Sequence, residues 1–123
     1  MFDTRVANYI FGVAFIAAGL LGFFPNPLVA ENGIFAVNLW HNIVHILTGG
    51  VFLAAAAWYG HNQLTLQVMG AIYLVVALLG FAMPGDMMLG MILANTADHV
   101  LHLVFALVML AAGFGLPRTA KLA

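Results

Sequence analysis

Two short stretches hold most of the residues in this chain that could do chemistry. The first, NLWHNIVH, carries Asn38, His41, Asn42 and His45. The second, NTADHVLH, carries Asn95, Asp98, His99 and His102 at the same spacing. A helix turns about 100° per residue, so each quartet falls within one arc of about 100°. Gly49 and Ala106 lie on the same arcs one turn further on, which leaves room beside each stripe. Residues at i and i+4 share a helix face and can chelate one ion. His41 and His45 with Asp98 and His102 would offer three imidazoles and a carboxylate, a set that suits Zn, Fe, Mn or Cu(II) better than Cu(I). His45 and His102 alone, matched imidazoles at equal depth, could instead ligate haem b or another tetrapyrrole in a bundle core. A third possibility is a hydrogen-bonded cluster in which Asn38 and Asn95 cap their helices and Asp98 pairs with His41. Asp and His chains inside membranes also mark proton relays. Here the inner halves of both helices are Ala, Leu and Val, so no through-path is visible.

These side chains need rigid elements to hold them, and the composition says which kind. Hydrophobic residues make up 65% of the 123 residues and charged residues 6%. A soluble domain averages about 25% charged residues, so lipid is the expected solvent. Apolar runs cover about Val6–Phe24, Leu39–Tyr59, Leu64–Met83 and Ala97–Leu116. Each has roughly the 20 residues that a membrane-crossing helix needs. Pro25-Asn26-Pro27, Gly60-His61-Asn62 and Pro84-Gly85-Asp86 punctuate them. Helices are expected, because lipid cannot satisfy an open sheet edge.

The chain also repeats itself. Phe11-Gly12-Val13-Ala14-Phe15 lies over Met69-Gly70-Ala71-Ile72-Tyr73, and Leu20-Leu21-Gly22-Phe23 over Leu78-Leu79-Gly80-Phe81. With the offset reduced by one, Asn38, His41, Asn42 and His45 lie over Asn95, Asp98, His99 and His102. The expected fold is an all-α, polytopic, up-down-up-down membrane four-helix bundle. It forms a single domain over residues 1–123, built from hairpins at about 6–59 and 64–116. The two hairpins are related by a pseudo-two-fold axis along the membrane normal. The repeat makes the first run a membrane helix rather than a cleaved leader. Polar stripes cannot face lipid cheaply, since an ionisable group at mid-bilayer costs about 2.5 kcal/mol or more. They are expected to face each other.

The H-N-x-V-H and N-T-A-D-x-x-L-H motifs, each before a small-residue helix, resemble a family of small four-helix bacterial and archaeal membrane proteins. That family is described as a domain of unknown function. The resemblance spans nearly the whole chain and implies the fold and a bacterial cytoplasmic-membrane location. Its pattern usually has Asn where His99 stands, so His99 departs from it and is not assigned as a shared ligand.

Arg5, Arg118 and Lys121 lie towards the termini, while Glu31 and Asp86 lie in the first and third loops. The positive-inside rule then predicts cytoplasmic termini. Trp40 and Trp58 are about 27 Å apart along a helix and would anchor the two interfaces. No basic run offers a nucleic-acid face. The absence of Cys and Ser excludes thiolate metal sites, disulfides and those two nucleophiles. Met83, Met87, Met88 and Met91 are read as gap-fillers in a loop that dips onto the bundle, although thioethers also select Cu(I). His61 reads as a solvated loop residue.

With so little chain outside the helices, the expected role is non-catalytic. The chain would be a structural or accessory bundle, held by the His/Asp/Asn cluster and docked to a larger membrane complex or to its own copies. Small residues on the first and third helices would form the docking faces. The alternative is a metal- or haem-binding membrane protein.

Overall fold

A computed structural model describes residues 1–118; Lys121 lies outside the described residues. Four helices dominate: α1 (Thr4–Leu21), α2 (Leu39–Ala54), α3 (Asn62–Ala82) and α4 (Thr96–Gly115). A π-helical turn, Ala55–Tyr59, extends α2 so that the whole span runs Leu39–Tyr59. All four spans are long and apolar enough to cross a membrane. Their outward faces carry large exposed apolar side chains, among them Ile10, Val13, Leu47, Val75 and Leu107. Soluble monomers rarely expose continuous apolar surface on this scale. The protein is a multi-pass membrane four-helix bundle.

α1, α2 and α4 start where the sequence provides a cap. Asp3 accepts from the Val6 N–H at 3.0 Å. Asn38 Oδ1 accepts from the His41 N–H and Asn95 Oδ1 from the Asp98 N–H, both at 3.1 Å. Asp98 completes a capping box by accepting from the Asn95 N–H at 2.9 Å. α3 starts differently. His61 takes left-handed backbone (φ 53°) after Gly60 (φ 74°), and Asn62 is already helical and fully buried. The loop between α2 and α3 is therefore shorter than the Gly60-His61-Asn62 break marked in the sequence.

Packing is closest within each hairpin, α1 on α2 and α3 on α4. Glycines allow it, and they do so in parallel. A side chain at Gly12 would strike Leu53, and one at Gly70 would strike Leu110. One at Gly22 would strike the Asn42 amide, and one at Gly80 the His99 ring. These glycines of α1 and α3 thus face their own hairpin partners, while Ala14, Ala17 and Ala71 stay exposed. Across the bundle α1 and α3 approach each other. Between them lies an aromatic core in which Phe11 stacks on Phe52 at 5.5 Å and Phe15 meets Phe105 at 5.6 Å.

The first and third loops hold short ladders. β1 (Val29–Ala30) pairs with β2 (Phe35–Ala36) in parallel, and β3 (Met87–Met88) pairs with β4 (Ile92–Leu93) in antiparallel register. In the first loop the Asn26 amide donates to the Phe24 and Val29 carbonyls at 2.7 and 2.8 Å. Its oxygen accepts from the Val29 N–H at 2.7 Å. Each loop leans on the other hairpin's polar helix, β2 on α4 and β4 on α2. The loops tie the two hairpins together at this end of the bundle.

Candidate metal centre

The polar stripe of α2 divides between two neighbours. Asn42 and Gly49 turn towards α1, where Asn42 lies against Gly22 and Gly49 against Ile16 and the Gly12 carbonyl. His41 and His45 turn the other way, towards α4. On α4, His99 turns towards α3, against Gly80 and Phe81. His102 turns towards α2. The eight residues of the two stripes therefore do separate jobs. Asn38, Asn95 and Asp98 cap helices, Asn42 and His99 pack inside their own hairpins, and three imidazoles meet between the hairpins.

Those three are His41, His45 and His102. One nitrogen from each lies within 4.8 Å of the other two. Their ring centroids are 4.4 Å apart for His41–His45, 5.5 Å for His41–His102 and 6.0 Å for His45–His102. All three are buried. His41 Nδ1 lies 2.6 Å from the Leu93 carbonyl oxygen. A carbonyl has no proton to give, so Nδ1–H donates, and in the neutral ring Nε2 then carries the free lone pair. That Nε2 is buried and has no hydrogen-bond partner among the described residues, and the same holds for the Nδ1 atoms of His45 and His102. A buried polar atom without a partner costs about 1–3 kcal/mol.

Aromatic rings fix the imidazoles. Phe15 meets His45 edge-on at 5.6 Å, and Tyr73 meets His102 edge-on at 5.5 Å. Phe15 and Tyr73 are the pair that the internal alignment superposes. Tyr73 and Thr48 share a hydrogen bond of 2.9 Å, and both are buried. Sequence reasoning missed this pair as part of the site. The signal was a hydroxyl at Tyr73 where the first repeat has Phe15, in the middle of an apolar helix.

Asp98, expected as a fourth ligand, has one carboxylate oxygen engaged in the capping box. It does share the lining of a small cavity of about 50 Å³ with His45 and His102. A haem between His45 and His102 would have to displace His41, whose ring packs against both. A larger cavity of about 180 Å³ opens beside the triad, between α2 and α3. Pockets for sizeable ligands run about 300–1,000 Å³, so a porphyrin does not fit this arrangement. A single ion does. Metal–imidazole bonds of about 2.0–2.1 Å put tetrahedral ligand nitrogens about 3.3 Å apart, which needs side-chain adjustments on the order of 1 Å from here. The His41–Leu93 hydrogen bond is the kind of outer contact that fixes a ligand's tautomer and ring orientation.

Residues 5–115 match the family model described as a domain of unknown function, DUF4383. The chain belongs to the DUF4383 family. It has no match among curated proteins or solved structures. The family match covers both hairpins of this DUF4383 chain and thus all three imidazoles.

The Met-rich loop lies above the triad. Met88 is buried and lines the larger cavity, while Met87 and Met91 are exposed. Leu89, at the rim, holds left-handed backbone (φ 54°), which is uncommon for a residue other than Gly. His61 is exposed at the opposite end of the molecule. A second buried polar group, Thr4, Asn8 and Asn62, sits at that end, where the Asn8 amide donates to the Thr4 and Asn62 carbonyls at 2.7 and 3.0 Å.

Proposed function

We propose that this protein is a metal-binding membrane protein in which His41, His45 and His102 ligate one transition-metal ion. The observation that carries the reading is the convergence of three buried imidazole nitrogens, within 4.8 Å of one another, from two hairpins. Three unpartnered nitrogens in an apolar interior are a poor way to hold helices together, because each group contributes desolvation and no bond. One ion would give each of the three rings a bond. It would also tie the hairpins to each other at a place where α2 and α4 stand apart. Imidazole donors suit Zn, Cu, Fe and Ni. Three protein ligands with an open fourth position resemble reactive zinc sites more than closed structural ones.

The same reading treats the chain as a duplicated hairpin within a single domain, with both termini on the cytoplasmic side of a bacterial cytoplasmic membrane. Arg5 and Arg118 at one end and Glu31 and Asp86 at the other support that orientation. An accessory role in a larger complex, or self-association, would use a face other than the glycines of α1 and α3, which are covered from within.

The test is elemental analysis of protein purified through a tag that binds no metal, from membranes that have not met chelator. About one metal per chain is expected, falling at least tenfold in His41→Ala, His45→Ala and His102→Ala and unchanged in His99→Asn. A folded, metal-free wild-type protein that takes up no added zinc or copper would overturn the reading.

A further inference from the structure

The 180 Å³ cavity beside the triad has a shape and lining that the metal reading does not use. α2 supplies Val44 and Thr48, α3 supplies Ile72, Tyr73 and Val76, and His41, His45 and His102 form its polar end. Val44, Ile72 and Leu79 on its rim are also exposed on the outer surface of the bundle. In a membrane that surface is lipid, so the cavity opens sideways into the bilayer. The α2–α3 seam is loosely packed compared with the seams inside each hairpin.

We infer that this cavity binds the head of a lipid-soluble molecule with a six-membered ring bearing oxygens on opposite edges, the quinone class, which reaches the triad from the bilayer. Size supports a single ring, since an apolar protein cavity of about 150 Å³ holds one benzene. Two polar spots in an otherwise apolar box support the oxygens. The first is the imidazole end, where the open position of an ion held by His41, His45 and His102 would take an oxygen. The second is the hydroxyl pair of Thr48 and Tyr73. One of those two hydroxyls donates to the other, which leaves the second O–H free to donate to a carbonyl. Thr48 follows His45 by most of a helical turn, about 4.5 Å along the axis. A ring with oxygens on opposite edges spans a similar length. A simple alkyl chain would fill the volume and leave both polar spots without a partner. The inference rests on the triad reading for its first anchor, the open ligand position of the ion.

The experiment uses the full chain in nanodiscs and a ten-carbon-tailed benzoquinone carrying an azide for photolabelling. Labelled peptides are expected from α2 and α3, with any α4 label confined to the peptide of His102, and not from α1. Excess decylbenzoquinone should remove the label, and decylcyclohexane, which has the same tail and no oxygen, should not. Val76→Phe fills the cavity from α3 without touching a ligand, so it should cut labelling at least tenfold and leave zinc content unchanged. Equal labelling of all four helices, or equal competition by decylcyclohexane, overturns the inference. Should Val76→Phe fail to fold, the map of labelled wild-type peptides decides by itself. The two readings fail separately. Zinc-loaded protein without labelling of α2 and α3 sinks the cavity proposal alone. Labelling of α2 and α3 in a protein that takes no metal supports the cavity and sinks the metal centre.

Discussion

Asn38 and Asn95 each hold their own helix and the other hairpin's loop at once. Asn38 caps α2 with its oxygen and donates its amide to the Met91 carbonyl at 3.0 Å. Asn95 caps α4 with its oxygen and donates its amide to the Ile34 carbonyl, also at 3.0 Å. The amide suits this double task because it is an acceptor at one atom and a donor at the other. Asn38→Asp should keep the cap and lose the bridge, while Asn38→Ala loses both. A cap is worth about 0.5–2 kcal/mol, and a neutral hydrogen bond about 0.5–1.5 kcal/mol. Unfolding in mixed micelles should rank the variants wild type, Asn38→Asp, Asn38→Ala in falling stability. Equal losses would mean the bridge to Met91 contributes nothing.

The glycine contacts make a second prediction. A methyl group at Gly80 would collide with the His99 ring. Overpacking of a filled site costs about 1–3 kcal/mol, so Gly80→Ala should destabilise by that amount. His99→Ala in the same chain should recover much of it, because the obstructing ring is gone. His99→Asn should cost less than about 1 kcal/mol, since Asn42 occupies the equivalent place against Gly22. Additive losses for Gly80→Ala and His99→Ala would show that the two do not meet.

Topology can be read without removing any native thiol, because the chain has no Cys. Single cysteines at Asn32, Asp86 and His61 are suitable, as all three positions are exposed. Asn62 is fully buried and unsuitable. An impermeant thiol reagent added to intact cells should label Asn32→Cys and Asp86→Cys, and His61→Cys only after lysis. The opposite pattern would place the triad near the inner face.

Much of the fold was legible in the sequence because lipid leaves so few solutions. Apolar runs of about the right length must be helices, and Asn38 and Asn95 announce helix starts. Periodicity yields an arc, however, and does not say which neighbour each part of the arc meets. That is why Asn42 and His99 could not be separated from His41, His45 and His102 by angle alone. The π turn at Ala55–Tyr59 left no signal in a run of alanines. Its consequence is a carbonyl at Ala56 that accepts from Arg5 Nε at 2.7 Å, so Arg5 serves the fold as well as the charge asymmetry. Thr48 and Tyr73 were hidden because a hydroxyl on an apolar helix is ordinary until its surroundings are known.

The last prediction concerns the triad as a unit. An ion that binds the folded state alone stabilises it by RT ln(1 + [L]/Kd), about 2.7 kcal/mol at a hundredfold excess over Kd. Zinc should therefore raise the unfolding midpoint of chelator-treated wild-type protein, and chelator should lower it again. The gain should vanish in His45→Ala and in His102→Ala alike, since either change leaves two ligands. The double variant should then be little worse than either single one, with a coupling in the range of about 0.5–3 kcal/mol for residues sharing one network. Acidification should act in the same direction as chelator, because a protonated imidazole has no lone pair for the metal. The zinc-dependent part of the stability is thus present at neutral pH and lost as pH falls, while the His→Ala variants have no such part to lose. Metal-independent stability with additive His45→Ala and His102→Ala losses would show that the two rings do not act together, and the metal centre would fall with them.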